Sequence, residues 1–215
     1  MPRHLTRRLA LRTRLLLRTW RADDRGVAAM EFALIAPLMG VMFIGAVEMS
    51  QVITVDRRVT QIAGATADLV ARADKKISQT EIGDIMRVGS YIMKPYNSSP
   101  INIVLRNVTS SSTSATNTKQ SWTCSYTGST QAQTCTCTNT AFTIPANLVT
   151  TNDSVVIAEV TYAYVPLVFN YIMKRTWGGS GSSYTLSETI YMKPRSQAAM
   201  MLQSDGTTPC ASPTF

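Results

Sequence analysis

Along this chain the apolar positions run first continuously, then at helical spacing, then in alternation. Val27 to Val47 is an apolar run of 21 residues interrupted by one charge, Glu31. As a helix it spans about 32 Å, which matches a hydrocarbon core of about 30 Å. Beyond it, Val52, Val55, Val59, Ile62, Thr66, Leu69 and Ala73 recur at alternating steps of three and four, a one-sided seam. The pattern predicts one helix from near Val27 to about Ala73, kinked or short of one backbone bond at Pro37. Ser78-Gln79-Thr80-Glu81 is a capping box that opens a second helix, with Ile82, Ile85, Met86, Gly89, Ile92 and Met93 on its apolar face. Lys94-Pro95 ends it. From there the period is two. Ile101, Ile103 and Leu105 alternate in one strand, and Val156, Ala158, Val160, Tyr162 and Tyr164 in another, with Glu159 and Thr161 opposite. Leu186, Ile190 and Met192 mark a third strand, and Gln120 to Tyr126 a fourth.

Neither helix stands where it would form repeated crossovers among these strands. The economical fold is α+β: a long N-terminal helix, transmembrane then stalk, a short second helix, and an antiparallel β-sheet head backed by the helices. Thr109 to Thr118, Gly128 to Thr134 and Gly178 to Ser183 read as connections. The glycines of the last are followed by neither a Lys-Ser/Thr pair nor a helix start, which removes a phosphate cradle. Ser204 to Phe215 reads as a loose tail held at most by Cys210. The segments expected are thus 1–26 leader, 27–47 transmembrane helix, 48–95 helical stalk and second helix, and 96–215 β-rich head.

Charge sharpens the topology. Residues 1–26 hold eight of the arginines against Asp23 and Asp24, a net +6 out of the chain's +8. A nucleic-acid partner would need that charge across a folded face; packed before an apolar run it marks the cytoplasmic side of a membrane span. Membrane lipid is therefore an expected partner, nucleic acid is not, and everything after the span is exported. A cleaved secretory signal does not fit, because the run is longer than such segments and Glu48-Met49-Ser50-Gln51 has no small-x-small site.

Glu31 is the costly residue, since a carboxylate in hydrocarbon needs compensation. Cleavage between Gly26 and Val27 would free an α-amino group, and Glu31 of one helix could pair with that cation on a neighbour, setting axial register. The string Arg25-Gly26-Val27-Ala28-Ala29-Met30-Glu31-Phe32-Ala33-Leu34-Ile35-Ala36-Pro37, with Glu48 after the span, resembles the TadE-like family of pilin-related proteins. These belong to the tight-adherence (Flp-type) pilus machinery of bacteria. The resemblance covers residues 25–67. It implies processing by a prepilin peptidase on the cytoplasmic side before Val27, with Glu31 at the fifth mature position. It also implies a minor-pilin or assembly role beside other pilus assembly subunits in the inner membrane, and a pilin-like α+β plan. The reading from another class is an uncleaved single-pass envelope protein whose head binds a glycan or a protein partner.

The four cysteines, Cys124, Cys135, Cys137 and Cys210, all lie in the exported part, where disulfides form. Cys135 and Cys137 are too close on a strand to join each other, so Cys124 is expected to pair with one of them and Cys210 with the other. Zinc is the rival use, weakened by the C-x-C spacing and by the lone His4 in the leader. Glu159 and Glu188 could be neighbours on strands, the minimum for a two-carboxylate hydrolase, but surface charges on a sheet explain them more simply. Tyr162, Tyr164, Tyr171, Trp177 and Tyr184 could form an aromatic binding patch, with the alternating pair Tyr162 and Tyr164 better read as core. No enzyme, no cofactor and no metal are expected.

Overall fold

Helix α1 runs without interruption from Val27 to Ala71, through Pro37. Proline has no N–H to give the carbonyl one turn earlier. The Leu, Met and Ala residues around it are good helix formers, and they carry the helix across that missing bond. The computed structural model describes residues 26–73, 76–177, 183–195, 201–204, 208–210 and 214–215. The Arg-rich leader to residue 25 and residues 178–182 of the glycine-serine connection lie outside them. The chain divides into two compact units, residues 1–47 and 48–215.

In the second unit α1 buries Val55, Val59, Ile62, Ala63, Thr66, Ala67, Val70 and Ala71. The expected seam holds to Thr66 and then moves, for Leu69 is 38% exposed and Val70 fully buried. A straight helix rotates a strict seven-residue repeat by about 20° per heptad, so two heptads past Val55 the contact line has left position 69 for position 70. Thr66, the polar member of the seam, is satisfied inside it: its hydroxyl donates to the Ile62 carbonyl at 2.8 Å.

After β1 (Lys76–Ser78) comes α2 (Gln79–Ile92), opened as the sequence predicts by a reciprocal cap. The Glu81 amide donates to the Ser78 hydroxyl at 3.1 Å and the Ser78 amide to the Glu81 carboxylate at 2.9 Å. The Ser78 amide, and then the Ser78 hydroxyl 3.0 Å from the same oxygen, hold the Glu81 carboxyl below the usual carboxylate range. Gly89 lets α2 press close, since a Cβ there would sit 2.6 Å from Ile103 and 2.9 Å from Ile62.

The sheet is five-stranded and antiparallel, in the order β4 (Ala132–Ala141), β3 (Thr118–Thr127), β2 (Ile101–Ser110), β5 (Ser154–Tyr164), β6 (Tyr184–Met192). Its register sets Leu105 opposite both Cys124 and Ala158, so the alternating residues of β2, β3 and β5 share the face that meets α1 and α2. Ile62, Met86, Ile103, Leu105, Trp122 and Val160 are fully buried in that layer. The opposite face is also covered at one end: Val108, Val155 and Ile157 pack with Phe142, Ile144, Leu148 and Val149. Alternation alone had left that face to Glu159 and Thr161.

Several connections prove to be structure. Gly128–Thr134 is only partly a turn, because β4 begins at Ala132. Thr109 and Ser110 close β2, and Thr118 opens β3. An eleven-residue helix α3 (Leu167–Trp177) precedes β6. Two short strands, β7 (Met201–Ser204) and β8 (Thr208–Pro209), join β1 in a second sheet in which β1 and β7 run parallel. The described residues of the tail are held by more than Cys210: β8 pairs with β7, and Asn139 donates to the Thr214 hydroxyl at 2.9 Å.

Candidate functional site

The first unit presents α1 from Val27 to Val47 with its apolar side chains bare, Leu34 at 79% and Phe43 at 71% exposure. Among the described residues α1 is the one helix long and apolar enough to cross a membrane. Gly26 stands just before it, exposed, with nothing among the described residues within 4 Å of where a Cβ would be. Glu31 is exposed on the same helix. Leu34, Ile35 and Leu38 follow it at helical spacing, so whatever apolar medium or helix covers them covers the carboxylate too. A group on Val27 lies four residues back, one turn of helix and about 6 Å along the axis. Among the described residues Glu31 forms no ion pair.

The second unit begins with Glu48, and there α1 is clamped to the end of the sheet. The backbone N–H of Val168, in the first turn of α3, donates to the Glu48 carboxylate at 2.6 Å. The carboxylate thus takes one of the first-turn amides that have no partner within the helix, at its positive end. One turn along α1, the Gln51 side-chain oxygen accepts from the Tyr164 hydroxyl at 3.4 Å. Burial pushes the Tyr164 phenol up, with Glu48 and Tyr96 adding to it. Arg58 donates to the carbonyls of Ile92, at 2.6 Å, and Lys94, and lies 5.4 Å over the Tyr96 ring. It closes the C-terminal end of α2, where a cation opposes the negative pole of the helix. Tyr162 donates to the Asn97 carbonyl at 2.9 Å, which makes it and Tyr164 core residues with anchored hydroxyls.

All four cysteines are engaged. Cys124 and Cys135 are directly opposed on β3 and β4 and bonded, with Cα atoms 4.1 Å apart; Cys137 is bonded to Cys210 at 5.4 Å. Thiols held this way are not available to a metal. The carboxylates do not converge. Glu159 pairs with Arg106 on one face of the sheet, while Glu188 stands in register with the buried Val160 on the other, so a two-carboxylate centre is not formed. Tyr171 and Tyr184 are exposed, and the Trp177 side chain lies outside the described residues.

The geometry therefore brings together Gly26, Val27 and Glu31 on one exposed helical segment, and it adds a collar around Glu48 that the sequence did not reveal. Comparison with curated proteins and with solved structures finds no match. Comparison with protein families does: residues 26–68 match the family described as TadE-like protein, and the N-terminal segment that carries Gly26, Val27 and Glu31 is TadE-like.

Proposed function

We propose that this protein is a membrane-anchored, pseudopilin-like component of tight-adherence (Flp-type) pilus assembly, processed before Val27 by a prepilin peptidase. The observation that carries the reading is a single carboxylate, Glu31, one helical turn after an exposed Gly26–Val27 junction on a bare apolar helix within the TadE-like segment. Residues 27–47 cross the inner membrane with the leader in the cytoplasm, and residues 48–215 lie outside. A bulkier residue at position 26 would obstruct a peptidase cleft that accepts glycine. The cut creates an α-ammonium on Val27, and Glu31 of one subunit pairs with that cation on the next. In the desolvated core of a helix assembly such a pair aligns helices along their axes, because any slip leaves a buried carboxylate alone. Other pilus assembly subunits are the partners of this helix; no reaction is catalysed.

Mass spectrometry of the membrane-extracted protein tests the first step. The expected mature chain begins at Val27, and Gly26→Trp retains the leader. A wild-type chain that keeps Met1 overturns the processing and leaves an uncleaved anchor. Glu31→Gln tests the second: it is expected to cut and fold normally but to fail in piliation. Normal piliation in that variant removes the ion pair.

A further inference from the structure

Helix α3 is the element this function leaves unused. It is held by its first turn to Glu48, the residue that directly follows the apolar run 27–47 in the chain. It exposes Leu167 at 75% and Tyr171 at 64%, with Val168 and, just before the helix, Val165 also exposed. Leu167, Tyr171, Lys174 and Arg175 fall at steps of four, three and one, so they share one side of the helix. That side is apolar over the first turn, aromatic over the second and cationic at the end, where Lys174 and Arg175 are exposed. Tyr184, also exposed, opens β6 in register with Tyr164, whose hydroxyl meets Gln51. Water disfavours so much bare hydrocarbon on a short helix.

We propose that α3 is an interfacial helix that lies in the outer headgroup layer of the bilayer and binds anionic phospholipid. The proposal rests on the reading of residues 27–47 as the span. If that run ends at Val47, Glu48 stands at the water boundary, and its bond to Val168 fixes the start of α3 at the same depth. There the exposed side chains of this one face each meet a suitable surrounding. Leu167 and Val168 enter the acyl boundary, the Tyr171 ring takes the amphipathic level that tyrosines favour, and Lys174 and Arg175 reach lipid phosphates while their stems stay apolar. A protein partner would cover the apolar turn equally well but has no evident use for two adjacent cations; an anionic lipid surface has. The consequence for assembly is a second, in-plane hold on the membrane that resists tilting of the head about a single helix.

The test uses the full chain in nanodiscs of phosphatidylglycerol and phosphatidylcholine, with a photoreactive benzoylphenylalanine at one position per variant. The positions are Met39 in the span, Tyr171 on α3, and Ser112, exposed in the connection at the opposite end of the strands. Lipid adducts are expected at positions 39 and 171 and not at 112. In the Lys174→Gln, Arg175→Gln variant the yield at 171 should fall, by up to about fivefold per charge removed, while the yield at 39 holds. Lipid at 39 without lipid at 171 overturns the docking and leaves the span intact. No lipid at 39 overturns the span and the docking with it. An adduct at 171 to a second copy of the chain overturns the docking in favour of a protein interface.

Discussion

Asp153 sits at the mouth of β5, where its carboxylate gathers several donors at once. It accepts from the Lys193 ammonium at 2.6 Å, the Ser154 amide at 2.8 Å and the Thr150 amide at 3.2 Å, with its own side chain 11% exposed. Burial by itself raises this carboxyl, but the Lys193 hydrogen bond, the two amides and the Lys193 charge outweigh it and hold it below the usual range. A depressed folded value stabilises the fold above the unfolded pKa of about 3.9 and loses that contribution as pH falls through the lower folded value. Asp153→Asn should therefore cost about 1–3 kcal/mol near neutral pH. The gap to wild type should narrow below about pH 4 and close under acid, read by urea titration of the detergent-solubilised chain. A gap that persists unchanged at about pH 2 would mean that shape, not charge, is what position 153 supplies. At this scale the sequence displayed Glu31 plainly, because a charge in an apolar run is a local anomaly. Glu48 is different. It was visible only as the residue after the span, since its partner amide is 120 positions away and nothing in the local pattern points to it.

Elements were legible where their own residues specify them. The capping box of α2 and the apolar alternation of β2 and β5 name their structures, and the structure has them. Helix α3 carries no such start signal: Tyr164, Val165 and Pro166 include no capping side chain, and the cap comes instead from Glu48 across the fold. Strand β4 escaped for the opposite reason. Its Thr, Cys, Gln and Asn side chains are mostly exposed, so it has no apolar period to read; pairing with β3 and two disulfides hold it. The packing of α2 yields a prediction in two glycines of the same helix. At Gly89 a methyl would meet Ile103 and Ile62, core side chains with little room to move, whereas at Gly83 its nearest neighbour would be the amide end of Gln133, the far end of a flexible side chain. Alanine gains about 1 kcal/mol of helix propensity at either site. At Gly89 overpacking of about 1–3 kcal/mol should exceed that gain. Gly83→Ala displaces Gln133 from the Gln79 carbonyl, a loss of about 1 kcal/mol, and should come out near neutral. Denaturant midpoints of the two variants decide it; equal midpoints would mean α2 stands farther from the sheet than its contacts indicate.

For the whole molecule the decisive difference is between the two covalent links. Cys124–Cys135 closes 11 residues within a hairpin whose strands are already paired, while Cys137–Cys210 spans 73 and ties the C-terminal segment to an edge strand. Asn139 on that edge strand and Lys119 on its neighbour also donate to Thr214, so the described C-terminal residues are tied to the edge where free backbone groups invite pairing with another chain. Loop-closure entropy gives the longer link about 4 kcal/mol and the shorter about 3 kcal/mol. Removing Cys137 and Cys210 together, as serines, should therefore lower the denaturation midpoint more than removing Cys124 and Cys135 together. It should also raise the rate of aggregation, because only that pair unties the C-terminal residues from the edge strand β4. The same ordering bears on where the head can mature. Both links need an oxidising compartment, so a chain held on the reducing side of the membrane should behave as the four-serine variant does, with β4 untied from Cys124 and Cys210 and the fold weakened by the sum of the two losses. If the shorter link proved the costlier one to remove, the stability of the head would lie in the β3–β4 hairpin rather than in the long link from its edge strand to Cys210.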